Sequence, residues 1–213
     1  MAEKNSVRCI IISGCPCADI DLIREYVNRD DFLICADRGY NYAEQINIVP
    51  DVIVGDFDSF SGALPDTRIV SLNTHKDDTD TAHCAKIAIE LGFKKVIILG
   101  ALGGRNDHGF ANYCVLQYLN ENGVEGIIID RNETVEFKTQ GTYSYDNLKD
   151  RTFSVFPFAC NEAVVSYHGE CEYNADNLVL KSSLAMGISN VFRSNEVKIQ
   201  IHSGKVLIFT ENI

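Results

Sequence analysis

The feature that most constrains the fold of this chain is an alternation of short apolar runs with amphipathic segments through its first 130 residues. The apolar runs have the length of strands, and the segments between them repeat their apolar residues at the spacing of a helix. Strands joined by helices pair in parallel, in a sheet that helices cover on both faces. We therefore predict strands at residues 7–13, 32–37, 52–54, 68–72, 95–99 and 126–130, and helices at 19–29, 38–46, 79–91 and 108–122.

The pattern changes from about residue 133, where the helical spacing disappears. Short alternating segments follow at 153–158, 163–167, 178–180, 197–202 and 206–210, with turn residues between them. Such segments are typical of a small antiparallel sandwich or barrel. The predicted fold is thus an α/β N-terminal domain with a Rossmann-like parallel sheet, residues 1–137, followed by a small all-β sandwich or barrel domain, residues 138–213.

Charge and cysteine content restrict the partners and the compartment. The formal net charge of −11 argues against a nucleic-acid partner, because such binding depends on clustered Lys and Arg. No apolar run approaches membrane-spanning length, so we expect no membrane partner. The eight cysteines have no zinc or redox spacing, and the N-terminus has no signal-peptide pattern, which favours a reduced, cytoplasmic enzyme.

Two carboxylates, Asp56 and Asp58, follow the third predicted strand. Residues two apart on extended chain point the same way, so both carboxylates would face one spot at the carboxyl end of that strand. A hard divalent cation such as Mg²⁺ would relieve their repulsion. A solvated, aspartate-rich turn is the alternative for these two residues taken alone.

A second acidic segment, Lys76-Asp77-Asp78-Thr79-Asp80, opens the third predicted helix. Helix N-termini suit phosphate oxygens because their N–H groups are unpaired and the helix dipole is positive there. Lys76 could add a positive charge at that site, and Asp80 could supply a third metal ligand. The alternative is that these acids are only the ones favoured in the first turn of any helix.

The turn Gly103-Gly104-Arg105 joins the fifth predicted strand to the next helix. Its glycines allow close approach of a ligand, and Arg105 can bind phosphate oxygens through two parallel hydrogen bonds. Asp107 is placed to cap the helix. His108 is a candidate proton donor, or a residue that packs or caps in the first turn. Neither a dinucleotide fingerprint nor a P-loop sequence is present.

A series of short motifs runs through nearly the whole chain. They are Cys35-Ala36-Asp37 with Gly39 and Asn41, Pro50-Asp51, Gly55-Asp56-Phe57-Asp58-Ser59, Asp77-Asp78-Thr79-Asp80, Gly103-Gly104-Arg105 with Asp107-His108, Phe153-Ser154-Val155-Phe156-Pro157, and Gly187-Ile188-Ser189-Asn190 with Phe192. Taken together in their order, these motifs resemble the thiamine pyrophosphokinase family. The resemblance implies Mg²⁺-dependent transfer of the terminal pyrophosphoryl group of ATP to the hydroxyl of thiamine, giving thiamine diphosphate and AMP. It also implies a homodimer with active sites at the subunit interface.

The family also implies roles for single residues. Asp56, Asp58 and Asp80 would bind Mg²⁺. The nucleotide and its phosphates would be held by Thr79, Arg105 and Asp107, with Asp37 nearby. Apart from the family pattern, the residues themselves make Lys76 and His108 further candidate substrate contacts. Ser189 and Asn190 of the second domain would meet the thiamine. The chain departs from the family pattern at Arg38, Tyr40, Lys76 and His83, and it has no Trp, which makes Phe192 a candidate for stacking on thiamine.

The proton of the thiamine hydroxyl has two candidate acceptors, Asp80 and Asp107, between which the sequence does not choose. Two alternative functions also stay open. One is pyrophosphoryl transfer to another alcohol, such as a hydroxymethylpterin, at the same first-domain site. The other is a non-catalytic sensor of thiamine or nucleotide, although a sensor would have no need of the three aspartates and Arg105.

Overall fold

Residues 8–56, 67–72 and 78–212 are described by the computed structural model of this chain. The chain divides after Arg131 into two units, and each is taken by itself below. The predicted domain boundary at residues 137 and 138 falls at the end of the first strand of the second unit, which spans Glu133–Lys138.

The described part of the first unit alternates strands and helices. All six predicted strands and all four predicted helices are present. In chain order the elements are β1 (Cys9–Ile12), α1 (Ile20–Tyr26), β2 (Phe32–Ala36), α2 (Gly39–Gln45), β3 (Val52–Gly55), β4 (Arg68–Ser71), α3 (Asp80–Glu90), β5 (Lys95–Leu99), α4 (Asn106–Glu121) and β6 (Glu125–Ile129).

The six strands of this unit pair in parallel in the order β6-β5-β1-β2-β3-β4. The chain therefore builds outward from β1 to the edge at β4, and then crosses to β5 on the other side of β1. The strand order reverses between β1 and β5, and in open α/β sheets such a reversal opens a crevice at the carboxyl ends of the strands. The four residues of β1 are buried, as expected for a strand with neighbours on both sides and helices on both faces.

Two helices differ in length from their predictions. We predicted that the first helix would run to residue 29, but α1 ends at Tyr26 because Val27 is already extended, with φ −80° and ψ 123°. The fourth helix begins at Asn106, two residues before the predicted start at His108. No helix within the described ranges is long and apolar enough to cross a membrane.

The second unit is antiparallel. Its strands form two sheets, in the orders β12-β9-β14-β7 and β11-β10-β13-β8. Side chains of both sheets, among them Val155, Val165, Ile199 and Ile208, share one buried core. The strands are β7 (Glu133–Lys138), β8 (Gly141–Asp146), β9 (Thr152–Pro157), β10 (Glu162–His168), β11 (Leu178–Lys181), β12 (Asn190–Val191), β13 (Glu196–Ser203) and β14 (Val206–Glu211).

All five strands predicted in this unit are present, and three others were missed. The predicted boundary falls inside β7, and β8 follows it three residues later. Their alternation was nevertheless visible in the sequence, because Val135 and Phe137 in β7 and Tyr143 and Tyr145 in β8 are spaced two apart. The third missed strand, β12, has two residues.

Candidate active site

A cleft of about 440 Å³ opens at the carboxyl ends of the parallel strands in the first unit. The loops after β1, β2 and β5 and the first turns of α3 and α4 form its walls. This is the crevice created by the reversal of strand order between β1 and β5, where open α/β sheets bind their ligands. Among the predicted site residues, Asp37, Thr79, Asp80, Arg105 and His108 line it.

Two of these loops, the one after β1 and the one after β5, continue the pairing of β1 with β5. The backbone N–H of Ser13 donates to the Leu99 carbonyl at 2.8 Å, and that of Cys15 donates to the Gly100 carbonyl at 3.1 Å. Gly100 has a φ of +62°, and a Cβ atom there would lie 3.0 Å from the Ser13 carbonyl oxygen. Glycine at this position therefore allows both the turn and the close approach of the two loops.

The turn after β2 brings Asp37 to the mouth of the cleft. Asp37 has a φ of +46°, and its N–H donates to the Val54 carbonyl at 2.7 Å. This bond holds the turn against the end of β3, where a Cβ on Gly55 would lie 3.4 Å from the Cα of Asp37. The carboxylate of Asp37 and the one that follows Gly55, Asp56, thus belong to adjacent strand ends.

The N-terminus of α3 forms one wall. Thr79 caps the helix, with its Oγ1 accepting the N–H of Ala82 at 3.2 Å. The hydroxyls of Thr81 and Ser13 are 2.9 Å apart and buried, which ties the first turn of α3 to the end of β1. Asp78 pairs with Lys86, and this hydrogen bond lowers the pKa of the Asp78 carboxyl. The helix end is thereby held facing the cleft, as an anion site requires.

The carboxylates of the site have the chemistry of a hard-metal site. Asp80 lines the cleft in the first turn of α3, and half-buried Asp56 follows β3 at the same edge of the sheet. Asp58 lies outside the described residues. No group of three or more His, Cys, Asp or Glu that could hold a metal ion occurs among the residues that are described. The oxygen donors fit a divalent cation such as Mg²⁺ in kind, and the described pair supplies part of such a set.

Arg105 and Asp107 form an exposed ion pair at the start of α4. The Nε of Arg105 donates to Oδ1 of Asp107 at 3.1 Å, and a terminal guanidinium nitrogen donates to Oδ2. This pairing lowers the pKa of the Asp107 carboxyl. The prediction that Asp107 caps the helix is wrong, because the N-cap residue is Arg105 and α4 already begins at Asn106. The Asp107 carboxylate instead accepts the N–H of the adjacent His108.

The remaining predicted residues lie elsewhere. Lys76 is outside the described residues, and Ser189 and Asn190 belong to the second unit. Ser189 is exposed, with a φ of +54°, whereas Asn190 is buried. The Asn190 amide accepts the N–H groups of Tyr173 and Val191 and donates to the Tyr173 carbonyl, so it is engaged in its own unit.

The structure contradicts Phe192 as a stacking surface for thiamine. Its side chain is 0% exposed and stacks on the ring of Phe153, with the ring centroids 4.3 Å apart. On the other side it stacks with Tyr145 at 5.9 Å. Phe192 is therefore a core residue of the second unit.

Three cleft residues were missed in the sequence: Ser13, Thr81 and Asn112. All three are buried and polar, and all three line the cleft. Asn112 donates through Nδ2 to the Ala101 carbonyl at 2.8 Å. A signal was available for Asn112, since it follows His108 by four residues and therefore shares its face of the helix. No comparable pattern marks Ser13, which simply ends an apolar run.

Comparison with known proteins places the cleft within a characterised domain type. Residues 23–128 match the family model described as the catalytic domain of thiamin pyrophosphokinase. The matched segment contains the loops after β2 and β5 and the N-termini of α3 and α4. It does not include the loop after β1.

Two relatives and one solved structure extend the comparison to most of the chain. The chain is 26% identical to thiamin pyrophosphokinase 1 of Caenorhabditis elegans, over 95% of this chain and 87% of that protein. It is 28% identical to thiamine pyrophosphokinase 3 of Oryza sativa subsp. japonica, over 76% of this chain and 65% of that protein. The crystal structure of thiamine pyrophosphokinase from Bacillus subtilis has a TM-score of 0.86 at 22% identity, covering 97% of this chain and 99% of that one. At that identity the structure shows a shared fold.

Proposed function

The chain belongs to the thiamin pyrophosphokinase family, and from that premise we propose that it transfers the terminal pyrophosphoryl group of ATP to the hydroxyl of thiamine. The products are thiamine diphosphate and AMP. The family and enzyme class predicted from the sequence are confirmed by the comparisons. The family uses ATP and a divalent metal ion. For this chain, the observation that carries the proposal is the convergence of Asp37, Asp80 and Arg105, from three distant segments, on one cleft.

We assign phosphate binding to the two helix N-termini and to Arg105. The first turn of α3 presents backbone N–H groups and a positive dipole end to the cleft. Two of the five guanidinium N–H groups of Arg105 are used by Asp107, which fixes the plane of the fork and leaves the others for phosphate oxygens. Thr79 and His108 border the same space. Asp107, which is not a cleft residue, acts here as a positioning residue for Arg105.

Mg²⁺ would be held by Asp56, Asp58 and Asp80. When bound, it supplies positive charge to the phosphate oxygens. Transfer needs positioning and charge stabilisation more than a strong base. The thiamine hydroxyl oxygen forms a bond to the β-phosphorus, the bond from that phosphorus to the α,β-bridging oxygen breaks, and AMP leaves. Lys76, outside the described residues, remains a proposed phosphate contact.

Asp80 is the better acceptor for the hydroxyl proton. It lines the cleft, whereas Asp107 points its carboxylate at Arg105 and lies outside the lining. This placement favours the Asp80 carboxylate over the other candidate that the sequence left open.

The finer features of the fold and the assembly are further proposals. We propose a Rossmann-like nucleotide- and metal-binding domain, an all-β sandwich that binds thiamine through Ser189 and Asn190, and a homodimer with active sites at the subunit interface. The shared core of the two second-unit sheets supports the sandwich. Exposed apolar side chains before Ser189, namely Leu184, Met186 and Ile188, support an interface. None of the eight cysteines forms a disulfide, which supports a cytoplasmic location.

The test is AMP release from ATP that depends on thiamine and on added Mg²⁺. We expect AMP and thiamine diphosphate to form in equal amounts in the wild type. Asp80→Asn should retain the fold and lose roughly a hundredfold or more in turnover, the usual cost of removing a charge contact to a transition state. Asp21→Asn, an exposed acid on α1, is the matched control and should turn over normally.

Three results would contradict the proposal in different ways. AMP formation with a hydroxymethylpterin but not with thiamine would retain the phosphate site and replace the substrate. Tight ligand binding without AMP formation would indicate a sensor. Normal turnover of Asp80→Asn would remove Asp80 from the metal site and from proton transfer.

A further inference from the structure

Asn112 is a buried polar side chain in the cleft wall that phosphate binding does not use. It is 6% exposed, lies on the second turn of α4, and lines the cleft together with His108. Because His108 precedes it by four residues, the two side chains share one face of the helix. The rise of 1.5 Å per residue puts Asn112 about 6 Å further along the axis, away from the phosphate-binding end.

The orientation of the Asn112 amide follows from its one partner. Nδ2 is 2.8 Å from the Ala101 carbonyl oxygen, and a carbonyl can only accept a hydrogen bond. The nitrogen must therefore face Ala101, and Oδ1 must face away from it. No other hydrogen bond of this side chain exists among residues 8–56, 67–72 and 78–212.

The Oδ1 atom of Asn112 is not fully buried. Of the buried side-chain nitrogen and oxygen atoms in the described residues, the hydroxyl of Tyr167 is the one that lacks a partner. Oδ1 of Asn112 is therefore accessible, and the space beside it is the cleft. The cleft wall thus presents a fixed hydrogen-bond acceptor at this depth.

We propose that Asn112 is a specificity-determining residue that accepts a hydrogen bond from the nucleoside part of the nucleotide, a role that rests on the function proposed above. An acceptor cannot pair with phosphate oxygens, which are themselves acceptors at neutral pH. The donors of ATP are the ribose hydroxyls and the adenine amine. Asn112 accepts a hydrogen bond from one of these donors, while Arg105 and the helix N-termini bind the phosphates.

The experiment measures equilibrium binding of four nucleotides by calorimetry, with Mg²⁺ and without thiamine. They are ATP and three analogues that each lack one of its donors: 2′-deoxyATP, 3′-deoxyATP and purine riboside triphosphate. One hydrogen bond is worth a factor of roughly 2 to 13 in affinity. We expect the wild type to bind one analogue more weakly than ATP by that factor. Asn112→Ala should bind ATP more weakly by the same factor and should no longer distinguish that analogue.

A purely structural role for Asn112 gives a different result. Asn112→Ala would lose the hydrogen bond to Ala101 and would then bind all four nucleotides more weakly by the same factor. The binding free-energy changes caused by the variant and by the analogue would then be additive. That outcome overturns the proposal. So does a wild type that binds all three analogues as tightly as ATP, a measurement that does not depend on the folding of the variant.

Failure of this role can be separated from failure of the proposed reaction. Because the binding series contains no thiamine, discrimination among nucleotides without AMP formation would sustain the role of Asn112 and contradict the reaction. Thiamine-dependent AMP formation with no discrimination would sustain the reaction and contradict the role of Asn112.

Discussion

Gly39 begins α2 directly behind the turn that carries Asp37, and we predict that Gly39→Ala is strongly destabilising. A Cβ atom at this position would lie 2.1 Å from the carbonyl oxygen and 2.8 Å from the carbonyl carbon of Ile12. Cβ atoms essentially never come closer than 3.0 Å to another heavy atom, so the gap must widen to that distance or more. One of the two backbone segments has to move.

Neither segment can move freely. Ile12 is fully buried and is paired on both sides, with Cys35 of β2 and with Leu99 of β5. Overpacking a core costs about 1–3 kcal/mol, and sometimes more. Because the obstacle is the backbone of a central strand, we expect Gly39→Ala to lower the free energy of unfolding by about 3 kcal/mol. This is a net loss, after the stabilisation of about 0.4–1 kcal/mol that Gly→Ala brings through the unfolded state.

Thermal unfolding followed by circular dichroism measures this effect. A loss of 1 kcal/mol lowers Tm by about 2–4 °C in a chain of this size, so Gly39→Ala should lower it by about 6–12 °C. Gly109→Ala is the matched control, because Gly109 lies inside α4 and, among the described residues, its Cβ would meet only Leu102 Cδ2, at 3.9 Å. The free energy of unfolding of this control should rise by up to about 1 kcal/mol, because Ala has the higher helix propensity. A Tm for Gly39→Ala equal to that of the wild type would refute the steric reasoning.

Two further predictions concern stability. Arg131 hydrogen bonds lower the pKa of Asp19 to about 2, so the stabilisation by this carboxylate is present above its ordinary pKa and is lost as pH falls toward 2. Asp19→Asn, which keeps the α1 cap, should reduce the free energy of unfolding in urea by up to about 1 kcal/mol at pH 7 and by much less near pH 2, where the carboxyl is partly protonated; an equal loss at both pH values would contradict the ion-pair explanation. Phe192→Ala should cost about 3–5 kcal/mol in denaturant unfolding, with Phe192→Leu much milder, because a fully buried ring is removed. Unchanged stability of Phe192→Ala with weakened thiamine binding would instead restore Phe192 as a ligand contact.

Much of the first unit could be predicted because its signals are local. An apolar run bounded by glycine or aspartate depends only on neighbouring residues. The position of the cleft also followed, since the carboxyl ends of parallel strands share one edge. Asp56 and Asp58 were therefore assigned from the sequence to the carboxyl end of the third strand, and half-buried Asp56 lies there.

The start of α4 was predicted wrongly because two residues near it have competing roles. Asp107 and Arg105 both stand at the start of α4, and aspartate has the stronger capping preference. The observed helix begins earlier, and the Asp107 carboxylate is drawn to the guanidinium of Arg105 instead of the helix end. The choice between capping and ion pairing depends on side-chain positions that residue spacing does not specify.

The sequence alone thus specified the strands and helices of the first unit and the types of residue at their ends, because short-range patterning and capping control those features. Tertiary structure decided that β1 lies between β2 and β5, since strand order depends on how helices cover both faces of the sheet. It also decided that Ser13, Thr81 and Asn112 meet in one cleft, although they are separated along the chain. Their roles arise from burial and from hydrogen bonds between distant segments, and neither is encoded in the spacing of nearby residues.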